Sequence, residues 1–424
     1  MRQRTIDKAL SLKRNVMWNT LGSVFYQGCL WLMTVLVVRL SADYQNSGAL
    51  AFAMSIGNIY TAIGTYTMRT YQVSDVTGRH TTSAYVALRI ITVTSGLGVC
   101  AVYGAAIAPS PTTMLVILAF LLFKADEAFV NVLYGCDQIA LRLDYVGISQ
   151  ILRGTLVVTS FSAGMVLTQN LVLALLIVFA CCVLVTLLFD LPRTRSLVDS
   201  LRPIISKGEC LGLLKECLPS VLGNVVGGLV VSIARQYFGI AYGEEALGIY
   251  ASVATPCVII QVLAQNLYTP LLGPIANKYR HGDHAAARKS SVRLMLLVVA
   301  TALGISAVLS LVAEPLLTLI YGSSITPYVS VLPLALVVMT GVALAAVISD
   351  LLIVLGHLRT TLVVNGLAFA VCLLLVIPCT TLWYMNGLNI ALIGAYAVAA
   401  IFGVSQVLWR SSQPWQDEDK KESA

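Results

Sequence analysis

Three charged side chains stand inside an otherwise apolar stretch. Residues 113–136 read TMLVILAFLLFKADEAFVNVLYGC, with Lys124, Asp126 and Glu127 near the middle. A charge at bilayer depth costs about 2.5–3.5 kcal/mol on insertion scales, so such groups face a bundle interior or a wet cavity. Lys124, Glu127, Asn131 and Tyr134 follow at spacings of 3, 4 and 3, which places them on one helical face. Lys124 and Glu127 can pair at i, i+3, while Asp126 points elsewhere, toward a neighbouring helix. This stripe could line a path for a polar substrate or a proton. The same residues could equally form an internally neutralised structural network.

Other polar groups recur at helical spacing in apolar segments. Arg89 and Arg153 lie a turn or two inside the ends of their stretches, and Ser149, Arg153 and Ser160 share a face. Guanidinium binds phosphate in a bidentate fork, so the two arginines would suit a pyrophosphate; arginine near a helix end can also snorkel to the interface. Ser55, Asn58, Thr65 and Arg69 form a second face, Asn224, Gly227, Gly228 and Arg235 a third, and Asn15, Asn19, Gly22 and Tyr26 a fourth. Amides, hydroxyls and cations together suit a sugar or phosphate ligand, and bland helix–helix packing uses the same residue types. Asp350 is the buried acid of the second half. With Asp126 it is a candidate for H+ or Na+ coupling, or else it neutralises an arginine.

The elements that position these groups are membrane spans. The chain has 424 residues, 58% of them hydrophobic and 11% charged, with a mean hydropathy of +0.85; soluble proteins are about 25% charged. The fold class is therefore an all-α polytopic membrane protein. Windows of about 20 apolar residues predict twelve transmembrane helices: 16–39, 48–68, 84–108, 113–136, 145–167, 170–191, 216–240, 245–272, 291–313, 329–355, 360–384 and 388–408. Connections after the third, fifth and eleventh are very short.

Basic residues crowd alternate loops: Arg2, Arg4, Lys8, Lys13 and Arg14; Arg69 and Arg79; Arg142; Arg193, Arg195, Arg202, Lys207 and Lys215; Lys278, Arg280, Arg288, Lys289 and Arg293; Arg359; then Arg410, Lys420 and Lys421. The positive-inside rule then places both termini in the cytoplasm. This pattern, rather than a nucleic-acid partner, accounts for the net charge of +7. No cleavable signal pattern precedes the first span.

The chain divides into a six-helix lobe at 1–191, a linker at 192–215, a six-helix lobe at 216–408 and a tail at 409–424. In the linker Leu197, Leu201, Ile204 and Ile205 follow an amphipathic rhythm that predicts a surface helix. The lobes are weakly alike: Gly48-Ala49-Leu50-Ala51 recurs as Gly248-Ile249-Tyr250-Ala251. Ten scattered cysteines without a CxxC pair read as small apolar residues. His281 and His284 beside Asp283 read as a solvated loop, not a metal site. There is no GxxxxGK[ST] phosphate loop, no GxSxG and no long external loop with paired acids. Transport fits these features better than enzymatic catalysis, and no cofactor is implied.

The matching pieces of a known pattern are Lys13-Arg14-Asn15 with Trp18-Asn19, 69–75 (RTYQVSD), 124–127 (KADE) running to Leu133-Tyr134-Gly135, 150–154 (QILRG), 247–250 (LGIY) and 317–322 (LTLIYG). In their order and spacing the chain resembles polysaccharide flippases of Wzx type, in the MOP exporter superfamily that also includes MATE antiporters and lipid II flippases. The resemblance implies a V-shaped pair of lobes around a cationic cavity, in the inner membrane of a bacterium. It implies transfer of an undecaprenyl-pyrophosphate-linked oligosaccharide to the outer leaflet by alternating access, for an O-antigen, capsule or exopolysaccharide. Residues lining the path would be Asn58, Arg69, Arg89, Lys124, Glu127, Asn131, Arg153, Asn224 and Arg235. Membrane lipids and polysaccharide polymerase machinery are the expected partners. A MATE-like antiporter of small organic cations and a membrane polymerase or ligase are the alternatives.

Overall fold

A computed structural model describes residues 10–75 and 80–413, without the side chains of Leu12, Ser74, Ser220, Arg280 and Leu358. Arg2, Arg4, Lys8, Arg79, Lys420 and Lys421 lie outside the described residues, as does the side chain of Arg280. The described chain is helical with short links: α1 Leu12–Arg39, α2 Gln45–Thr65, α3 Met68–Ser74, α4 Thr82–Ile107, α5 Pro111–Ile139, α6 Leu143–Thr168, α7 Leu171–Val185, α8 Leu191–Leu197, α9 Lys207–Tyr242, α10 Glu244–Ala254, α11 Val258–Arg280, α12 His284–Leu311, α13 Ala313–Tyr321, α14 Leu332–Val354 and α15 Leu358–Arg410. A π-helical turn, Thr186–Asp190, joins α7 to α8.

Among the described residues nine helical stretches are long and apolar enough to cross a membrane. α2 and α5 have spanning length, 21 and 29 residues, but are too polar to count on hydropathy alone. α15 contains two spans, because Tyr384 interrupts it with φ 51° and ψ −123°. With these three adjustments the described residues hold twelve helical stretches of spanning length, the number expected.

Two compact units are present. One ends at Val221 and regains Tyr242–Gly248; the other holds Leu222–Ala241 and the chain from Ile249. The division falls inside α9.

In the first unit the short links are capped as their residues dictate. Ser110 accepts from Thr113 N at the start of α5, where Pro111 occupies the first turn, and Asn170 accepts from Leu173 N at the start of α7. α1 and α6 approach closely because glycine faces glycine: a Cβ at Gly22 would overlap Gly147, and a Cβ at Gly147 would overlap the Trp18 carbonyl. Asn15 ties the same pair of helices, donating to Leu10 O at 3.0 Å and accepting from Leu143 N at 2.8 Å.

The two repeated segments meet each other. Ser47 Oγ donates to Gly248 O, a Cβ at Gly48 would overlap the Glu244 carbonyl, and one at Gly248 would overlap the Tyr44 carbonyl. The positions related by the internal repeat are those that only glycine can fill.

Two local expectations are corrected. The linker rhythm at 197–205 does not form a helix: 198–206 has no regular structure. Pro203 restrains Arg202 away from the helical region, and Leu201 and Ile205 instead pack on a core of Met68, Tyr85, Leu133 and Leu213. Ile204 is left 66% exposed. The expected loop after the second span instead contains α3. Tyr66 and Thr67 both adopt left-handed backbone, φ 48° and 51°, which ends α2 and starts α3 at an angle to it.

In the second unit amide side chains join several helices. Tyr250 OH donates to Asn389 Oδ1 at 2.8 Å, Asn389 Nδ2 to Val331 O at 3.3 Å, and Asn365 Nδ2 to Gly223 O at 3.3 Å.

Gly48→Val should lower the melting temperature of the detergent-purified protein, since overpacking costs about 1–3 kcal/mol. Gly228→Ala should be neutral or raise it, because a Cβ there meets open space and alanine favours the helix by about 1 kcal/mol. Equal effects of the two changes would remove the close-contact explanation.

Candidate functional site

α5 is the polar spine of the first unit. Its first face begins with Lys124 Nζ donating to Glu127 Oε2 at 2.6 Å, with both side chains partly exposed. The ammonium lies 5.7 and 5.5 Å from the ring centroids of Phe120 and Phe123. Gly57 of α2 allows Phe120 and Lys124 to come close, and its neighbour Asn58 is exposed.

Farther along the same face, Asn131 and Gln138 each receive an arginine. Arg89 of α4 is fully buried; its Nη2 donates to Asn131 Oδ1 at 3.2 Å and its Nη1 to Gly64 O at 2.7 Å. The Gly64 carbonyl is open to it because the break at Tyr66 and Thr67 ends α2, and Thr92 Oγ1 shares it at 2.9 Å. Arg89 Nε has no partner among the described residues. Arg69, set on α3 by the same break, donates through Nε and Nη2 to Gln138 Oε1 at 3.1 and 2.8 Å, with Tyr134 beneath it at 5.8 Å. α3 is held against α5 by Gln72, which donates to Val132 O and fills the space that a side chain at Gly135 would take.

Neither Arg69 nor Arg89 forms an ion pair with a described carboxylate. The Asp137 carboxylate is instead engaged by Thr194, its Oδ1 accepting from Thr194 Oγ1 at 3.0 Å.

The opposite side of α5 carries a compensated charge cluster. Arg153 of α6, 1% exposed, donates to Asp126 Oδ2 at 2.6 Å and to Asp190 Oδ2 at 3.1 Å. It also reaches Thr186 Oγ1, and Thr186 donates in turn to Asp126 Oδ1 at 2.6 Å. Ser149, one turn before Arg153, hydrogen-bonds both Arg153 Nε and the Tyr134 hydroxyl. Thr186 and Asp190 bound the π-helical turn, a distortion found often at functional positions. Asp126 does turn to a neighbouring helix, and that helix supplies Arg153.

In the second unit Asp350 of α14 accepts from Tyr268 OH of α11 at 2.8 Å. Asn224 is exposed, whereas Arg235 is half-buried with its Nε unpartnered among the described residues. The structure thus brings Arg69, Arg89, Asn131 and Tyr134 together, Lys124 with Glu127, and Asp126 with Arg153.

Sequence reasoning missed Gln138, Asp190 and Thr186. Gln138 was within reach, since it stands four residues after Tyr134 and prolongs the stripe. Asp190 closes the apolar run 171–189 with Thr186 one turn before it, a pattern that reads equally as a helix end. Among the described residues no cluster of His, Cys, Asp and Glu could hold a metal, and all ten cysteines are free.

Neither a protein-family model nor a curated protein sequence matches the chain. Its fold is shared with solved transporters. An inward-facing multidrug resistance MATE family transporter of the MOP superfamily superposes with a TM-score of 0.72 at 16% identity, covering 99% of this chain and 97% of that one. The lipid II flippase MurJ in an inward closed conformation gives 0.71 at 9% identity over 93% and 90%. The eukaryotic MATE transporter AtDTX14 gives 0.67 at 15% identity over 96% and 97%. The chain is a multi-pass membrane protein with the fold of MOP-type transporters and flippases.

Arg153→Ala would leave Asp126 and Asp190 as adjacent buried carboxylates without their cation. Breaking a buried ion pair from one side costs about 3–5 kcal/mol, so this variant should give far less folded, monodisperse protein on size exclusion. Lys124→Ala, which opens a partly exposed pair, should cost under about 1 kcal/mol and leave the yield unchanged. Undiminished yield from Arg153→Ala would detach the cluster from stability.

Proposed function

We propose that this protein is a flippase that moves undecaprenyl-pyrophosphate-linked oligosaccharide repeat units from the cytoplasmic to the outer leaflet of a bacterial cell membrane. It works by alternating access, with both termini in the cytoplasm, as a transporter and not an enzyme. The flipped units supply the polymerase machinery of a surface polysaccharide.

The fold is as near to a multidrug MATE transporter as to a lipid II flippase, with TM-scores of 0.72 and 0.71. The choice therefore rests on charge. The observation that favours the flippase is Arg89, a buried guanidinium whose only hydrogen-bond partners among the described residues are neutral oxygens. Arg69 beside it is likewise held by a neutral amide. Two guanidiniums without paired carboxylates repel an organic cation and attract an anionic pyrophosphate. Asn131 and Gln138 on the same face of α5 add the amide groups that sugars require.

Arg153 and Lys124 have a different part in this reading. Their charge is met by Asp126 and Asp190, and by Glu127, so they keep the interior polar without presenting free charge. Asp126, fastened to Arg153, is a poor coupling site. Asp350, with a tyrosine and no paired cation among the described residues, is the better candidate for H+ or Na+.

Reconstitution with lipid-linked oligosaccharide, scored for exposure in the opposite leaflet, tests the proposal. Arg89→Gln should reduce flipping about 10–100-fold, the value of one or two hydrogen bonds to a charged group, with folded yield retained. Efflux of small organic cations by the wild type, with no flipping, would overturn the reading in favour of an antiporter. Asp350→Asn should leave basal flipping but abolish its response to an imposed proton or sodium gradient in the same vesicles; a full response in that variant would remove Asp350 from coupling.

A further inference from the structure

Where α11 turns into α12, a groove of about 180 Å3 opens between the two helices. Lys278, Ser290 and Arg293 line it on its polar side, and Leu271, Leu294 and Leu297 on its apolar side. Lys278 Nζ donates to Ser290 Oγ at 3.0 Å, so one cation already leans across the opening. Arg293 makes no hydrogen bond or ion pair with any described residue. Asp283 is the one acid within 278–293, and it is engaged as the cap of α12, accepting from Ala286 N at 3.1 Å.

The apolar side of the groove continues into the membrane-facing surface. Leu271 and Leu297 are 41% and 38% exposed, and Leu296 and Leu303 farther along α12 are 64% and 58% exposed. Within α11, Pro274, which also lines the groove, lacks the N–H that would bond the carbonyl of Pro270 and so loosens this helix. A basic side at a helix end with exposed leucines matches the chemistry of a lipid with a charged phosphodiester. Basic pockets between membrane helices bind anionic headgroups on this principle.

We infer that this groove binds an anionic glycerophospholipid, with the phosphodiester between Lys278 and Arg293 and the acyl chains along Leu271 and Leu297. The inference is independent of the transported substrate, since it concerns only α11 and α12. A second cavity on the other flank of α12, bordered by His284, Arg288 and Lys289, adds positive potential but has only Val292 and Ala285 as apolar lining. It is not the site.

The test is native mass spectrometry of the full-length protein in a neutral detergent, with phosphatidylglycerol and phosphatidylcholine supplied in equal amounts. Phosphatidylglycerol should be retained in preference. K278Q combined with R293Q should lower its occupancy at least tenfold. Leu297→Trp, which fills the groove and leaves the charge alone, should do the same, whereas R288Q combined with K289Q should not. Equal loss from both charge variants would reduce the effect to bulk attraction, and wild-type occupancy in Leu297→Trp would remove the groove. Displacement of phosphatidylglycerol by inorganic phosphate would make the site one for free anions. Melting temperatures identify any misfolded variant; Leu271→Trp, on the facing wall, then takes the place of Leu297→Trp, and its unchanged binding would overturn the inference equally.

Discussion

The interior of the first unit depends on how Arg153 is neutralised. In a low-dielectric interior an isolated guanidinium is prohibitively expensive, and a carboxylate hardly less so. Arg153 resolves this by contacting two carboxylates and two hydroxyls from three directions. The consequence is geometric as much as energetic. Asp126 fixes the rotation of α5, Thr186 and Asp190 fix the π-helical turn after α7, and Ser149 links Arg153 to Tyr134. Once Asp126 is committed to α6 and the turn, helical periodicity turns Asn131 and Gln138 away from it, to where Arg89 and Arg69 are received, with Tyr134 between the two faces. The clamp and the arginine-receiving face follow from one rotational choice.

That relation separates two kinds of buried cation. Arg153 has its charge balanced within reach, so substituting it leaves a surplus of buried anion. Arg89 has hydrogen bonds without a balancing charge. Neutral oxygens satisfy the N–H groups but leave the positive potential in place. A structural arginine gains from an adjacent acid, whereas a ligand-binding one must do without, because a fixed carboxylate would compete with an anionic ligand. Burial alone does not distinguish them, since both side chains are almost wholly enclosed. The chemistry of the partners does.

Much of this was legible in the residues, and the rest was not for definable reasons. Hydropathy located the spans because the bilayer imposes length and apolarity directly. The 3, 4, 3 spacing set Lys124 to Tyr134 on one face and Asp126 apart, because local helix geometry suffices for that. The partner of Asp126 required knowing which helix packs behind α5, and Asp190 lies 37 positions from Arg153. The bend before α3 was hidden because Tyr66 and Thr67 are not residues that choose left-handed backbone; tertiary contacts hold them there. The linker misled for the opposite reason. Its leucine and isoleucine rhythm was real, but Pro203 forbade the helix, and the apolar side chains found the core by an extended route.

The internal repeat shows what backbone likeness leaves undetermined. Gly48 and Gly248 are matched by a shift of 200 and share one close contact within the first unit. The interiors of the two units nevertheless diverge. The first unit holds buried guanidiniums and carboxylates, while in the second the interior hydrogen bonds run between amides, hydroxyls and the single carboxylate of Asp350. Helix packing tolerates either choice, because it is set by small residues and apolar surface. This is also why the fold stands equally near a drug transporter and a lipid flippase. Selectivity is written in a few polar substitutions that leave the helices where they are. On the flippase reading, recognition of the charged pyrophosphate then belongs mainly to the first unit, and the second supplies a matching scaffold with a separate titratable group.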